Sequence, residues 1–306
     1  MKEKVKLKIA EIIIQMQSKF ALEVPADEYE KAESARRLNN FFYQGRKGAD
    51  ITINIEIVDR LSEAGRAEPV YNVYHFMDGK ENWRLLKKGG GYVYISVIKE
   101  KRQLMLVNKD FNRVSAYLLL KKDKGRVWKV EDVVYDFLQV LLIAYLAQRG
   151  KGIFTHAVGI RDLNGKGLLF AGESGCGKSA TARLWHNHTR AMVLNDDRVI
   201  VRRQNGRFFI HGSPWHGAFS DYLGSRIESA PLDKLFFIYH APKNRLERIR
   251  PEKTFNYLYP STFPVFWNKD YLENVVSFGL DLIKQVPCYR LGFVNDRKII
   301  NFVRKI

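Results

Sequence analysis

Residues 167–179 read GLLFAGESGCGKS, and the fold assignment turns on them. Gly167–Ala171 is wholly apolar and of strand length, and it runs directly into Gly172–Ser179, which matches G-x-x-x-x-G-K-[ST]. The chemistry of such a loop dictates its residue types. Glycines let successive backbone N–H groups turn inward around phosphate oxygens, where side chains would obstruct them. Ser179–His186 has helical character, and the N-terminal dipole of a helix starting there adds to the same anion site. Lys178 can then reach β- and γ-phosphates, and the Ser179 hydroxyl can ligate Mg²⁺. An apolar strand before the loop and a helix after it form the context this motif requires, so the stretch predicts a nucleotide-phosphate site. Its contacts are Gly172, Glu173, Ser174, Gly175, Cys176, Gly177, Lys178, Ser179 and Ala180.

Upstream, Ile153–Ile160 (IFTHAVGI) is a strand, joined to Gly167–Ala171 through Asn164–Gly165, a strong hairpin signal. It carries His156. A lone strand histidine is more often a satisfied core or surface residue, but a neighbouring strand would aim this one toward the phosphates, where an imidazole binds phosphate or positions acids. Downstream, Ala191–Leu194 is a buried strand ending in Asn195, Asp196 and Asp197. An acid at this place holds the metal of a phosphate-loop protein. Two adjacent acids suggest more: one stays with Mg²⁺ while the other accepts a proton from an attacking hydroxyl. A turn or helix-cap pair is the competing explanation. A hairpin, Val199–Arg202 with Phe208–His211, follows and turns at Asn205–Gly206. The pattern does not order Ser213–Ile306. The remaining histidines show no metal-ligand spacing with cysteines and read as structural. Lys243, Arg245, Arg248 and Arg250 read either as a clamp for phosphate or an acidic acceptor, or as a solvated face.

The region before about residue 130 reads as β-rich. The N-terminal MKEKVKLKIAEIIIQM is basic and then apolar, but Glu11 and Gln15 interrupt it and no small-residue cleavage site follows, so it reads as a first strand rather than a signal peptide. Ile51, Ile53, Ile55 and Ile57 alternate with polar residues, the period of a half-buried strand. Further strands are expected at Val70–Phe76, Tyr92–Ile98, Gln103–Val107, Ser115–Leu119 and Arg126–Val130, with turns at Asn108–Asp110 and Lys121–Gly125. A helix with Asp132 near its start and Gly150 just past its end then leads into the second part. The domain expectation is a β-rich N-terminal region over 1–130, the natural place for substrate choice, and a catalytic domain over 131–306.

With 306 residues, 46% of them hydrophobic and 13% aromatic, the chain has ample material for a core. Its two cysteines, Cys176 and Cys288, lie far apart, and one falls in the phosphate loop; a reducing, cytoplasmic setting is the simpler expectation. The longest apolar stretch, Phe137–Ala147, falls short of the roughly 20 residues that span a bilayer, and a soluble protein with no membrane partner is expected. The charge of +18, from 51 Lys plus Arg against 33 Asp plus Glu, favours anionic partners, but the basic residues are scattered, and nucleic-acid binding would rest on charge alone.

His156, GESGCGKS at 172–179 and NDDRVIV at 195–201, in that order, resemble the catalytic domain of HPr kinase/phosphorylase. That family carries a histidine on the strand before its loop, a G-[DE]-S-G-x-G-K-S loop and a paired Asp after the next strand. The likeness covers about 153–212, and extends more distantly to ATP-dependent phosphoenolpyruvate carboxykinase. It implies a mixed α/β fold with a carboxykinase-like P-loop catalytic domain, ATP and Mg²⁺ as cofactors, and transfer of the γ-phosphoryl group to a hydroxyl of a protein, peptide or small molecule, serine above all. Carried across, Lys178 and Ser179 bind phosphates and Mg²⁺, Asp196 is the better candidate for the base and Asp197 for the metal, and His156 sits by the transferring phosphate. A homo-oligomer is also compatible with the resemblance. Where the family has E-I-R-G, this chain reads Phe209-Ile210-His211-Gly212 and continues SPWHG at 213–217, which weighs against HPr as the acceptor and against the reverse reaction. Trp215 or His216 there would touch substrate, or Trp215 would be buried in a turn. A nucleotide-binding scaffold without phosphotransfer and a carboxykinase-type enzyme remain as alternatives.

Overall fold

The isoleucines at 51, 53 and 55 are buried while Asn54 and Glu56 are exposed, so one face of this strand meets a core and the other meets water. The computed structural model describes residues 2–22, 38, 40–61, 67–74, 81–96, 103–119, 130–217 and 228–306. It is mixed α/β, and its residues fall into two compact units, one of Met1–Ala35, Phe42–Tyr145 and Phe266–Asn268, the other of Arg36–Phe41, Leu146–Val265 and Lys269–Ile306.

The first unit holds β1 (Lys2–Ile9), β2 (Ile12–Leu22), β3 (Ile51–Val58), β4 (Glu68–Tyr74), β5 (Glu81–Lys88), β6 (Gly91–Ser96), β7 (Gln103–Val107) and β8 (Arg113–Leu119). They form one sheet in the order β1-β2-β3-β8-β7-β6-β5-β4, with β2–β3 and β3–β8 parallel and the other pairs antiparallel. The N-terminal segment expected as one strand is a hairpin: Ala10 and Glu11 take positive φ of 47° and 64°, and β1 and β2 pair across them. Helix α1 (Val130–Gln148) follows, and its Phe137 ring lies 5.1 Å from that of Tyr94 on β6. Val130, expected to end a strand, instead opens this helix; 126–129 and the Lys121–Gly125 turn lie outside the described residues. The boundary expected at 130/131 falls at the head of α1, and Leu146–Gln148 of that helix are grouped with the second unit. Among the described residues, no helix is long and apolar enough to cross a membrane.

The second unit contains β9 (Gly152–Arg161), β10 (Gly167–Ala171), α2 (Lys178–His188), β11 (Met192–Asn195), β12 (Arg198–Gln204), β13 (Arg207–His211), β14 (Ser229–His240), β15 (Arg245–Arg248), α3 (Pro251–Leu258), a 3₁₀ turn (Tyr259–Ser261), α4 (Lys269–Gln285), β16 (Cys288–Phe293) and α5 (Lys298–Arg304). The sheet runs β10-β9-β12-β13-β14-β16-β15, with β11 on β9. The strand β14 is long enough to pair antiparallel with β13 over Ser229–Pro231 and then parallel with β10 from Leu232. Hence β10, β14 and β16 run in parallel, and β14 and β16 continue three residues past the end of β10, to His240 and Phe293. Beneath them Phe170 stacks on Phe236 at 5.0 Å and meets Trp185 of α2 at 5.1 Å, which seats the helix against the strand it follows.

The β9–β10 hairpin is tied to the C-terminal helix by Asp162, whose buried carboxylate takes both Arg304 Nε and Nη2. Burial alone would raise the Asp162 carboxyl, but the Arg304 hydrogen bond, the Leu163 amide and the Arg304 charge hold it below its ordinary value. A depressed folded-state pKa contributes stability above the unfolded value of about 4, and that contribution fades as pH falls through the folded one. Asp162→Asn is therefore expected to lower unfolding free energy by about 1–3 kcal/mol at pH 7. The deficit should shrink toward zero as both proteins are melted at successively lower pH below 4. An undiminished deficit at pH 2.5 would show that the charge is not what matters.

Candidate active site

The loop after β10 owes its shape to glycines at particular places. Gly172 and Gly177 have φ of 154° and 106°. A Cβ on Gly172 would stand 2.7 Å from both Cys176 Sγ and Ile238 O, and one on Gly177 would stand 2.7 Å from the Phe293 ring. Only glycine fits either position, as the sequence motif requires. Helix α2 starts at Lys178, and Thr181 returns its amide to Gly177 O at 2.8 Å. Lys178 is buried and donates from Nζ to Gly172 O (2.8 Å) and Glu173 O (2.7 Å), so its ammonium sits inside the curl of the loop. Glu173, Ser174 and Gly175 are exposed at the loop's crest, and Ser179 and Ala180 are half-buried in the first turn of α2. Burial pushes the Cys176 thiol up although the Lys178 charge opposes it, so this cysteine is a neutral packing group beneath the loop.

His156 is brought to Asp197 because β9 and β12 pair with His156 opposite Arg198. The His156 Nε2–Asp197 Oδ1 distance is 2.9 Å, and Arg198 Nη1 reaches the other oxygen at 2.7 Å. Burial alone would raise the Asp197 carboxyl. The hydrogen bond from His156 and the positive potential of Arg198, His156 and Lys178 outweigh it and hold this carboxyl below the usual carboxylate range. His156, which holds Asp197, also lines the cavity beside Gly172–Cys176. Asp196 is also buried, and its Oδ1 accepts the Gly217 amide at 2.8 Å.

Two residues that sequence reasoning passed over hold this arrangement. Asn195 is buried; its Oδ1 accepts the amides of Asp197 (2.8 Å) and Arg198 (2.7 Å), while Nδ2 donates to Ser213 O and Trp215 O, both at 2.9 Å. One side-chain amide thus fixes the turn that carries both acids and fastens it to the 213–217 segment. His240, at the end of β14, lies with Nε2 2.8 Å from Gly175 O and braces the crest of the loop from the neighbouring strand. Trp215, weighed as a substrate contact, is buried with its ring 5.9 Å from Phe154, while His216 is half-buried. Lys243, Arg245, Arg248 and Arg250 are exposed on and around the edge strand β15, and none of them lines the cavity at the loop.

That cavity measures about 570 Å³ and runs from His156 and Gly172–Cys176 along the ends of β14 to α3, the 3₁₀ turn and Arg290. Among the described residues, no cluster of three or more His, Cys, Asp or Glu forms a ready-made metal site.

The sequence model of a family described as SynChlorMet cassette protein ScmC matches residues 119–296, more than half of the chain. Among curated proteins, no sequence matches. Among solved structures, the HPr(Ser) kinase/phosphatase from Coxiella burnetii is similar at 14% identity over 50% of this chain and 94% of that one, with a TM-score of 0.29, too loose a likeness to carry an argument about function.

Proposed function

We propose that this chain, which belongs to the family described as SynChlorMet cassette protein ScmC, is a phosphotransferase that moves the γ-phosphoryl group of ATP onto a hydroxyl. One observation carries the reading: an acid-bearing turn, Asn195–Arg198, is fixed where Asp197 pairs with His156, and His156 lines the same cavity as Gly172–Cys176. Binding a nucleotide calls for the loop and its lysine alone. An acid pair braced beside them suits a reaction.

In this reading Gly172–Ser179 is a P-loop whose backbone amides and buried ammonium would hold the β- and γ-phosphate oxygens as charge redistributes. The hydroxyl oxygen of the acceptor attacks the γ-phosphorus and its proton passes to Asp196. The bond from the bridging oxygen to that phosphorus breaks, and ADP departs with the electron pair. His156 keeps Asp197 oriented. Ser179 and Asp197 would hold Mg²⁺, and one hydroxyl and one carboxylate alongside phosphate oxygens suit an ion that retains several waters. When bound, that ion neutralises phosphate charge.

The test is incubation with γ-labelled ATP and Mg²⁺ alongside a cell lysate or the products of neighbouring genes. Acid-stable label on one acceptor is the expected result. Release of free phosphate alone, or no reaction, would remove the kinase reading.

A further inference from the structure

The cavity at the loop has a second cationic feature that the phosphate chemistry leaves unused. Arg290, on β16, has its guanidinium carbon 4.6 Å from the Tyr239 ring centroid and 5.5 Å from that of Tyr257, and all three line the cavity. Its cross-strand neighbours are Phe237 on β14 and Glu247 on β15. Among the described residues no carboxylate pairs with the guanidinium. A guanidinium held over aromatic rings keeps its N–H donors for a further partner, and this one lines the cavity. That fork matches two oxygens of one carboxylate or phosphate, and the aromatic contacts fix it in place before any ligand arrives.

Register sets how far it stands from the loop. Arg290 pairs with Phe237, which pairs with Ala171, the last residue before the loop. Arg290 therefore stands level with the loop's base but two strands away, roughly 10 Å across the sheet at the usual spacing. Phosphates cradled by Gly172–Ser179 would lie over β10 and the head of α2, which leaves Arg290 to face an oxyanion elsewhere in the same cavity.

We propose, resting on the kinase reading above, that Arg290 binds the acceptor: besides its hydroxyl, the acceptor carries a carboxylate or phosphate that Arg290 grips through two parallel hydrogen bonds. The substrate class is an anionic hydroxyl compound, and Tyr239 and Tyr257 act as positioning residues for the guanidinium.

The experiment loads the protein with AMP-PNP and Mg²⁺, so that the loop's own anion sites are filled, and titrates malonate and methylphosphonate by calorimetry. Wild type is expected to bind at least one probe, and the preferred probe tells carboxylate from phosphate. Arg290→Gln is expected to weaken that probe at least tenfold while AMP-PNP affinity stays within twofold. If Arg290→Gln does not fold, Arg290→Lys carries the same test, since one ammonium cannot supply two parallel bonds and should still lose several-fold. Failure of both probes to bind wild type, or equal binding by wild type and variant, overturns the proposal. So does a tenfold loss of AMP-PNP affinity in the variant, which would give Arg290 to the nucleotide. Failure of wild type to bind AMP-PNP overturns the kinase reading first and this inference with it.

Discussion

Lys178→Met is expected to cut phosphoryl transfer by about 10³-fold, roughly 4 kcal/mol of transition-state stabilisation, while the protein stays folded. The two effects separate because of where the ammonium sits. It is buried and donates to two carbonyls of its own loop, so methionine loses both hydrogen bonds. Methionine also removes the cost of keeping a cation out of water, and its stem has similar length and packing. The net change in stability is expected to stay within about 1–2 kcal/mol. The reaction has no such compensation, because the charge moving onto the leaving oxygen loses the ammonium held inside the curl of the loop. Steady-state ATP turnover and thermal unfolding of the two proteins check both halves. Turnover within tenfold of wild type would place the reacting phosphate somewhere other than this loop.

Much of this site was legible because its parts are local. The apolar run Gly167–Ala171, the loop after it and the Asn-Gly turns at 164–165 and 205–206 are each specified within a few residues. They appear as β10, the loop and the two hairpins within a residue or two of expectation. What escaped is non-local or breaks the usual turn chemistry. No glycine or asparagine marks the Ala10–Glu11 turn, where two ordinary residues take left-handed backbone angles. The strand β5 hides in ENWRLLKK because Leu85 and Leu86 are both buried, which cancels the alternation. The 12-residue β14 is split between two partners, so no single period describes it.

The same distinction separates the candidate residues whose neighbourhood was legible from those whose neighbourhood was not. His156 and the acids lie within a few dozen residues of the loop on paired strands, so neighbourhood in sequence forecasts neighbourhood in space. His240 and Arg290 reach the loop's cavity only because β14 and β16 stack parallel beside β10, a pairing no local pattern announces. Asn195 was visible only as a strand-end residue. Its role depends on Ser213 and Trp215 returning to it, and a side-chain amide shows its worth only when both its ends are engaged.

The sharpest division of labour is expected between adjacent residues. Asp196→Asn should reduce kcat by about 10²- to 10⁴-fold, the range of a lost general base, with nucleotide affinity unchanged. Asparagine keeps an oxygen for the Gly217 amide, so that 2.8 Å contact survives the substitution. Asp197→Asn should behave differently. Its carboxylate is bracketed by His156 and Arg198 at 2.9 and 2.7 Å, so removing the charge leaves two basic groups facing each other. A cation is then poorly received, and the Mg²⁺ concentration for half-maximal turnover is expected to rise at least tenfold, with partial recovery at high Mg²⁺ that Asp196→Asn does not show. Measuring turnover against Mg²⁺ for both variants separates the roles. Exchange of the two profiles would exchange base and metal ligand, whereas two variants indistinguishable from wild type would leave the Asn195–Arg198 turn as no more than a brace beside an anion pocket.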